Sequence, residues 1–491
     1  MILDKLTENI IIEQSVGPSE VEVTGICADS RLAAPGNLFV AVRGPLSDGH
    51  AFIDAAVAAG CTAVVCEELP AHELQAGVTW IRVPDASVAL GFLASAWYGE
   101  PSRHLTLVGV TGTNGKTTVA TLLYEAARLA GHKAGLLSTV ENRVDSKVYP
   151  TRNTTPSPLE TNRLLREMVD AGCTFAAMEV SSHGQVQHRT AGLHFSGAIF
   201  TNLTRDHLDY HKTFDNYLKA KKSFFDMLPA SAWALVNADD ANGAVMLQNT
   251  AASRHNYSMR GPADFTGRAV ESRIDGTLMR VNGREVETQF TGRFNACNLL
   301  AVFGALVLMG MSEFDAAVTL SSLVPVAGRF QTFRSADGVV AVVDYAHTPD
   351  ALANVLAAIA EVAPKGAQVI TVTGAGGNRD HGKRPQMGAE AARRSDRVVI
   401  TSDNPRDEDP ADIADDIRAG IPVDSPARVD VILERAAAIH VAVTQARPGD
   451  VVLVAGKGHE DYQEFENHRR IHFDDREQAR KALAARAVSE I

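Results

Sequence analysis

At 491 residues the chain is too long for one ordinary core, and a span of ~150 residues per domain suggests about three. Its 45% hydrophobic and 22% charged residues are those of a soluble globular protein. The net charge of -12 lacks the basic field of non-specific nucleic-acid binding, but it leaves room for small anions held by local cations and backbone N–H groups.

The opening MILDKLTENIII is acidic where a signal peptide would be basic, so none is read there. Next come a predicted helix, AFIDAAVAAG, and two predicted strands, CTAVVCEE and VTWIRVP, a small α/β unit. YGEPS at Tyr98–Ser102 interrupts it as a Gly/Pro break. The strand HLTLVGV follows, then a Gly-rich turn, then a helical stretch, VATLLYEAARLAGHKAG. Strands FAAMEVSS, GAIFTNL and WALVNAD continue the alternation. The longest apolar run, Leu299–Met311, is below the ~18 residues of a membrane span and reads as a buried helix. SLVPVAGR, at residues 322–329, marks another boundary. Beyond it VVAVVDYA, AQVITVTG, DRVVITSD and DVVLVAGKG each run into a polar or Gly-rich loop. The expectation is a three-domain α/β protein with mostly parallel sheets, divided as residues 1–90, 91–325 and 326–491. Cys27, Cys61, Cys66, Cys173 and Cys297 are odd in number and scattered, so reduced thiols are expected rather than disulfides or a zinc site. A cytoplasmic protein without membrane insertion and without a nucleic-acid partner is expected.

The turn VTGTNGKTT carries phosphate-binding chemistry. Gly112 and Gly115 allow N–H groups to converge on an anion at a helix N-terminus. Lys116 suits the β- and γ-phosphates, and the Thr117 hydroxyl suits Mg²⁺. Val110 stands where the strict motif has its first Gly; the competing reading is a tight turn with a solvated lysine. Glu179, in MEVSSHG, is a candidate Mg²⁺ ligand at a strand end. Asp206, His207, Asp209 and His211, in TNLTRDHLDYH, read equally well as a capped helix start. Lys219, Lys221 and Lys222, in YLKAKKSFF, read from physics alone as an exposed basic face.

These segments, together with NTTP, the Y-x-x-A-K segment, GRFNACN, DYAHTPDAL and GNRDHGKRP, resemble the Mur ligase family of ATP-dependent amino-acid ligases over nearly the whole chain. The resemblance implies a UDP-binding N-terminal domain, a P-loop ATPase-type central domain and a Rossmann-like C-terminal domain. It implies cell-wall precursor synthesis through an acyl phosphate that an amine attacks. Gly112, Thr113, Asn114, Gly115, Lys116, Thr117 and Thr118 would hold ATP, with Asn298, Arg329, Asp344 and His347. Thr117 and Glu179 would hold one Mg²⁺, and His207 with a carbamylated Lys221 a second. Lys116, Glu179, His207 and Lys221 would be catalytic. GRFQ stands where relatives often carry GRME.

Ser30, Asn153, Thr154, Thr155, Ser181, Gln187 and Arg189 match positions that grip a UDP-muramyl-dipeptide, here UDP-N-acetylmuramoyl-L-Ala-D-Glu. The loop Gly44–Gly49 fits the uridine side less well. DNPR, Asp403, Asn404, Pro405 and Arg406, is the form found in members adding meso-diaminopimelate, whose extra carboxylate suits a guanidinium. Arg379, Gly456 and Glu460 match the rest of that pocket. The alternatives are a same-fold ligase using L-lysine, or folate and glutamate, and an inactive nucleotide-binding regulator. A monomer is expected.

Overall fold

The computed structural model describes residues 1–44, 47–71, 74–151 and 153–486. Three parallel-rich sheets follow one another along the chain, and the expected α/β alternation is present in each. The first has strand order 14–16, 79–82, 63–66, 37–40, 25–27, parallel except at its outermost N-terminal strand.

The central sheet has eleven strands. At its middle lies Thr106–Thr111, flanked in parallel by Gly197–Phe200 and Phe175–Glu179. Apolar side chains alternate between faces at the strand period of two. Leu107, Met178, Ala198 and Phe200 pack with the helices Pro158–Asp170 and Phe214–Asp226. Val108, Val110, Ala177 and Ile199 pack with Lys116–Leu129 and Arg293–Leu308. Burial on both faces is why these strands read as near-continuous apolar runs. The run from Leu299 forms the interior of a buried helix, and among the described residues no helix is long and apolar enough to cross a membrane.

The helix after the Gly-rich turn is shorter than its periodicity suggested. It stops at Leu129, because Gly131 takes φ +83°, and the next residues start the strand Ala134–Leu137. Three additions to this sheet were not anticipated: the hairpin Asn142–Val144/Lys147–Tyr149, the parallel strand Ser253–Ser258, and the antiparallel meander Phe265–Arg273, Gly276–Val281, Arg284–Thr288.

The third sheet has order 331–334, 340–344, 451–455, 369–373, 397–400, 428–431. Its four inner strands are parallel, so the loops DYAH, GAGGNRD, SDNPR and GKGHE leave the same edge, outside the strand carboxyl ends. Cys27, Cys61, Cys66 and Cys173 are buried free thiols and Cys297 is a half-buried one.

Candidate active site

A cleft of about 940 Å³ runs between the central and C-terminal sheets. Its floor is the turn after Thr106–Thr111. Gly115 takes φ +87° at the N-cap of the helix, and a Cβ there would lie 2.5 Å from Asn298 Oδ1. A Cβ on Gly112 would lie 1.9 Å from Thr201 Oγ1, so a side chain at either position would displace a cleft wall. Lys116 Nζ donates to the carbonyls of Gly112 (2.9 Å) and Thr113 (2.8 Å), curling the loop around its own lysine.

Sheet order determines what stands beside this turn. Glu179 is paired in register with Val110 and is fully buried. Its carboxylate accepts Thr139 N (2.7 Å) and Thr139 Oγ1 (3.2 Å), and the same hydroxyl oxygen lies 3.0 Å from that of Thr154. On the other side, the loop after Gly197–Phe200 carries Thr201, Asn202, Thr204, Asp206 and His207 into the cleft. Asn202 Oδ1 accepts Asn114 N at 3.0 Å.

His207 holds a left-handed φ of +53° at the start of the short helix Leu208–His211, with Asp206 Oδ2 3.3 Å from its Nε2. Both readings of that segment therefore apply: it begins a helix, although its side chain does not cap it, and it lines the cleft. Burial pushes the His207 imidazole well down. Burial works against the Asp206 carboxylate, yet His207, His347 and Lys383 together keep it below the ordinary carboxylate range.

The exposed-face reading of YLKAKKSFF holds for Lys219 alone, since Lys222 is largely covered and Lys221 buried. Lys219 faces solvent and Lys222 pairs with Asp226 at 2.5 Å. Lys221 is 1% exposed, pointing under the phosphate loop, where Nζ donates to Gly112 O at 2.7 Å. A lysine repeat i, i+2, i+3 spreads over more than one helix face, and the face of Tyr217, Phe224 and Lys221 is the buried one. Burial, then the nearby Lys116, drives the Lys221 amine far below its ordinary pKa.

From the C-terminal side, Arg329 Nη2 donates to Thr117 Oγ1 (3.1 Å) and lies 4.4 Å over the Tyr345 ring. Asp350 Oδ2 accepts Asn114 Nδ2 (3.0 Å) and Thr204 Oγ1 (3.3 Å). Asp344 binds Phe330 N at 2.7 Å, and burial raises its carboxyl. His347 donates from Nδ1 to Tyr345 O at 2.8 Å, and burial lowers it to about 4. A smaller cavity of about 150 Å³ adjoins, lined by Arg205, Asp206, Asp350, Asp380 and Lys383. Lys383, Arg205, Asn202 and Asp350 were not anticipated. The signal for Lys383 was present: it follows Gly382 at a helix start inside GNRDHGKRP.

Thus Thr113 to Thr118, Glu179, His207, Asn298, Arg329, Asp344, His347 and Thr154 share one cleft. Gly112 and Lys221 lie directly beneath it. Thr155, Ser181, Gln187 and Arg189 form an adjoining network. Thr155 Oγ1 bonds Glu179 O (2.9 Å) and Ser181 Oγ (3.0 Å), and Arg189 binds Thr155 O (2.6 Å) and Gln187 Oε1 (2.6 Å). Asn153 is exposed beside them. Ser30 stands apart, on a 3₁₀ turn of the first sheet capped by Asp29. Pro45 and Leu46 of the loop Gly44–Gly49 lie outside the described residues.

In the C-terminal loops Asp403, Asn404 and Pro405 are buried, and Arg406 takes φ +53°. Arg406 Nη1 donates to Gly377 O (2.8 Å), and Arg379 projects into solvent nearby. Gly456 has φ +119°, and a Cβ there would lie 2.5 Å from Asp403 Oδ2. Asn404 Nδ2 donates to Glu460 Oε2 at 2.9 Å.

Among the described residues no group of three or more His, Cys, Asp or Glu side chains is gathered as a metal cage. The Thr117 hydroxyl and the Glu179 carboxylate are nevertheless hard oxygen donors lining the same cleft as the phosphate loop. They fit Mg²⁺, which binds through one or two carboxylates plus substrate phosphates.

A phosphate loop, a buried strand-end carboxylate and a second α/β layer closing over them define an ATP-dependent ligase architecture of the Mur type. Family profiles match the chain as "Mur ligase family, catalytic domain" over residues 22–98, "Mur ligase middle domain" over 110–306 and "Mur ligase, glutamate ligase domain" over 328–458. The chain belongs to the Mur ligase family. It is 54% identical over 477 residues to the UDP-N-acetylmuramoyl-L-alanyl-D-glutamate–2,6-diaminopimelate ligase of Bacteroides thetaiotaomicron, covering 97% of this chain and 98% of that one. It is 56% identical over 469 residues to the ligase of the same name from Parabacteroides distasonis, covering 96% of each. Among solved structures, one of a UDP-N-acetylmuramoyl-L-alanyl-D-glutamate–2,6-diaminopimelate ligase matches with TM-score 0.70 and 31% identity over 99% of both chains. MurF from Acinetobacter baumannii shares the fold, with TM-score 0.62 at 19% identity over 98% of this chain and 97% of that one.

Proposed function

We propose that this protein joins meso-diaminopimelate to the D-Glu carboxylate of UDP-N-acetylmuramoyl-L-Ala-D-Glu, with ATP converted to ADP and phosphate, in peptidoglycan precursor synthesis. The observation that carries the reading is the single cleft in which Lys116, Glu179, His207 and Arg329 converge, in a chain 54% identical to a ligase of that name. ATP and a UDP-linked precursor as substrates argue for a cytoplasmic enzyme.

The N–H groups of residues 112–118 and the Lys116 ammonium hold the triphosphate and stabilise charge on the transferring phosphoryl group. A D-Glu carboxylate oxygen attacks the γ-phosphorus, ADP leaves, and an acyl phosphate results. The amine of diaminopimelate then attacks the acyl carbon, loses a proton, and expels phosphate as the amide forms. Arg329 reaches the same region from the C-terminal side, so joining the two halves of the cleft assembles the site and excludes water.

Thr117 and Glu179 would hold one Mg²⁺, His207 and Lys221 a second. Bound Mg²⁺ would neutralise phosphate charge. As a cationic amine Lys221 cannot ligate a metal. Its full burial and lowered basicity favour the neutral amine, which adds to CO₂ with loss of a proton to give a carbamate oxygen ligand. We assign the precursor to Ser30, Asn153, Thr154, Thr155, Ser181, Gln187 and Arg189. Diaminopimelate is assigned to Arg379, Asp403 to Arg406, Gly456 and Glu460.

The test is ADP release with ATP, Mg²⁺ and the UDP-linked dipeptide, comparing meso-diaminopimelate with L-lysine. Release that depends on diaminopimelate supports the reading. Equal use of lysine would keep the ligase and remove the amino-acid assignment, and no release with either would overturn it.

A further inference from the structure

Lys457 is buried to 0% exposure, yet no role in the chemistry has been given to it. It follows Gly456 in the loop after the strand Val451–Ala455. Its ammonium sits among side chains assigned above to the amino-acid pocket. Nζ donates to Asn404 Oδ1 at 2.9 Å and to Glu460 Oε2 at 3.0 Å, and Asp403 Oδ1 lies 3.9 Å away.

The consequence falls on Asn404. An amide side chain can present either its oxygen or its nitrogen to a given neighbour, and the neighbours decide which. Here three one-way partners agree. Lys457 Nζ can only donate, and so can the backbone N–H of Glu464, which reaches the same Oδ1 at 3.0 Å. Glu460 Oε2 can only accept, and it takes Asn404 Nδ2 at 2.9 Å. The amide is held with its oxygen toward the lysine. One Nδ2 hydrogen is spent on Glu460 and the second is left over.

Glu460 is arranged by the same cation. Its Oε2 receives both Lys457 and Asn404, while among the described residues Oε1 has a long contact, 3.4 Å, from Tyr345 OH. An N–H donor for a carboxylate and a carboxylate oxygen for an ammonium are thereby presented together. Those are the two halves of an amino-acid zwitterion. Without the ammonium, Asp403 and Glu460 would lose the cation they share, and the amide would keep only its bonds to the Glu464 N–H and to Glu460.

We infer that Lys457 is a positioning residue for amino-acid recognition, fixing the Asn404 amide and aiming Glu460 Oε1 at the ammonium of the incoming substrate. This rests on the pocket assignment made above for Asn404 and Glu460.

The experiment is a double-mutant cycle on the full chain, with KM for meso-diaminopimelate and for ATP measured in wild type, Lys457→Met, Asn404→Ala and the double variant. Removing one partner of a charged hydrogen bond should raise KM for diaminopimelate at least about 10-fold in Lys457→Met while KM for ATP stays within about twofold. In the Asn404→Ala background the further loss should shrink to less than half of that factor on a logarithmic scale, because the lysine then has no amide to orient. Independent, multiplying effects, or equal rises in both KM values, would overturn the inference. A wild type that ligates no diaminopimelate would instead sink the assignment on which it rests.

If Lys457→Met does not fold, the isosteric Asn404→Asp gives a second reading. It sets a carboxylate oxygen where Nδ2 now meets Glu460, so its KM for diaminopimelate should exceed that of Asn404→Ala. An equal or lower value would mean the amide is not held in this orientation.

Discussion

Lys116 and Lys221, 105 positions apart in the chain, donate to one and the same oxygen, the carbonyl of Gly112, from 2.9 and 2.7 Å. Two amines on one carbonyl cannot both be comfortable as cations. Burial and the nearby Lys116 lower the Lys221 amine furthest, while burial lowers Lys116 less, against the support of Glu179 and Asp206.

The pair therefore divides its work. On the proposed reading Lys116 carries the charge toward phosphate, and Lys116→Ala should lower kcat by about 10²–10³-fold or more, the cost of losing a preorganised partner of transition-state charge. Single-turnover ADP formation measures it. Wild-type turnover would remove the phosphate-loop assignment.

On the same reading Lys221 supplies the neutral amine, which its burial favours. Protein equilibrated with ¹³C-bicarbonate should show one carbamate carbon resonance that is missing in Lys221→Met, and that variant should lose ligation by about 10²-fold or more. A fully active Lys221→Met would dismiss the carbamate.

Arg406 is half-buried with Nη1 on Gly377 O, an anchorage that leaves other guanidinium donors for a carboxylate. Arg406→Ala should raise KM for diaminopimelate by about 10–100-fold, the range for a lost charged hydrogen bond, with KM for ATP little changed. Parallel rises in both would count against a specificity role.

His211 and His347 are both held down to about 4, mainly by burial. Above the ordinary histidine value of about 6.5 neither state of the chain binds the proton, so these groups do not alter stability there. As pH falls from about 6.5 toward 4, the unfolded chain takes up protons that the native one refuses, and native stability declines. Thermal melts at pH 7.5, 5.5 and 4.5 should fall in that order, less steeply in His211→Asn/His347→Gln.

Arg435 and Asp475 are both fully buried and joined by two bonds of 2.7 Å, and the guanidinium also reaches Ala455 O at 2.9 Å. Asp475→Ala leaves a buried cation without its anion, which should destabilise the C-terminal sheet by about 3–5 kcal/mol. Denaturant melts of that variant and of the apolar double replacement should differ, with the double variant the milder.

Much of the fold was legible because buried parallel strands are β-branched runs ending at glycine or polar loops. Val340–Asp344, Val369–Thr373, Arg397–Ile400 and Val451–Ala455 all fall inside predicted segments. The meander from Phe265 to Thr288 escaped notice because its faces are unevenly buried and charged residues such as Arg268, Glu271 and Arg280 interrupt any apolar run.

Within the site, residues at strand ends could be named from sequence, since sheet order alone brings Glu179 beside Val110. Lys221 could not be distinguished from Lys219 and Lys222 by composition or periodicity; the family resemblance named it, and the direction it takes from the helix sets it apart in the fold. Lys457 and Asp350 were hidden for another reason: each also bonds an asparagine, 53 and 236 positions away respectively, distances no local pattern encodes.

The cleft is already in conversation with itself. Lys116 rests on loop carbonyls, Arg329 on the Thr117 hydroxyl, and Asp350 on Asn114, so the side chains suited to a nucleotide also brace one another across the cleft. What these contacts contribute is shape: the phosphate loop is held from the C-terminal side as well as from its own lysine.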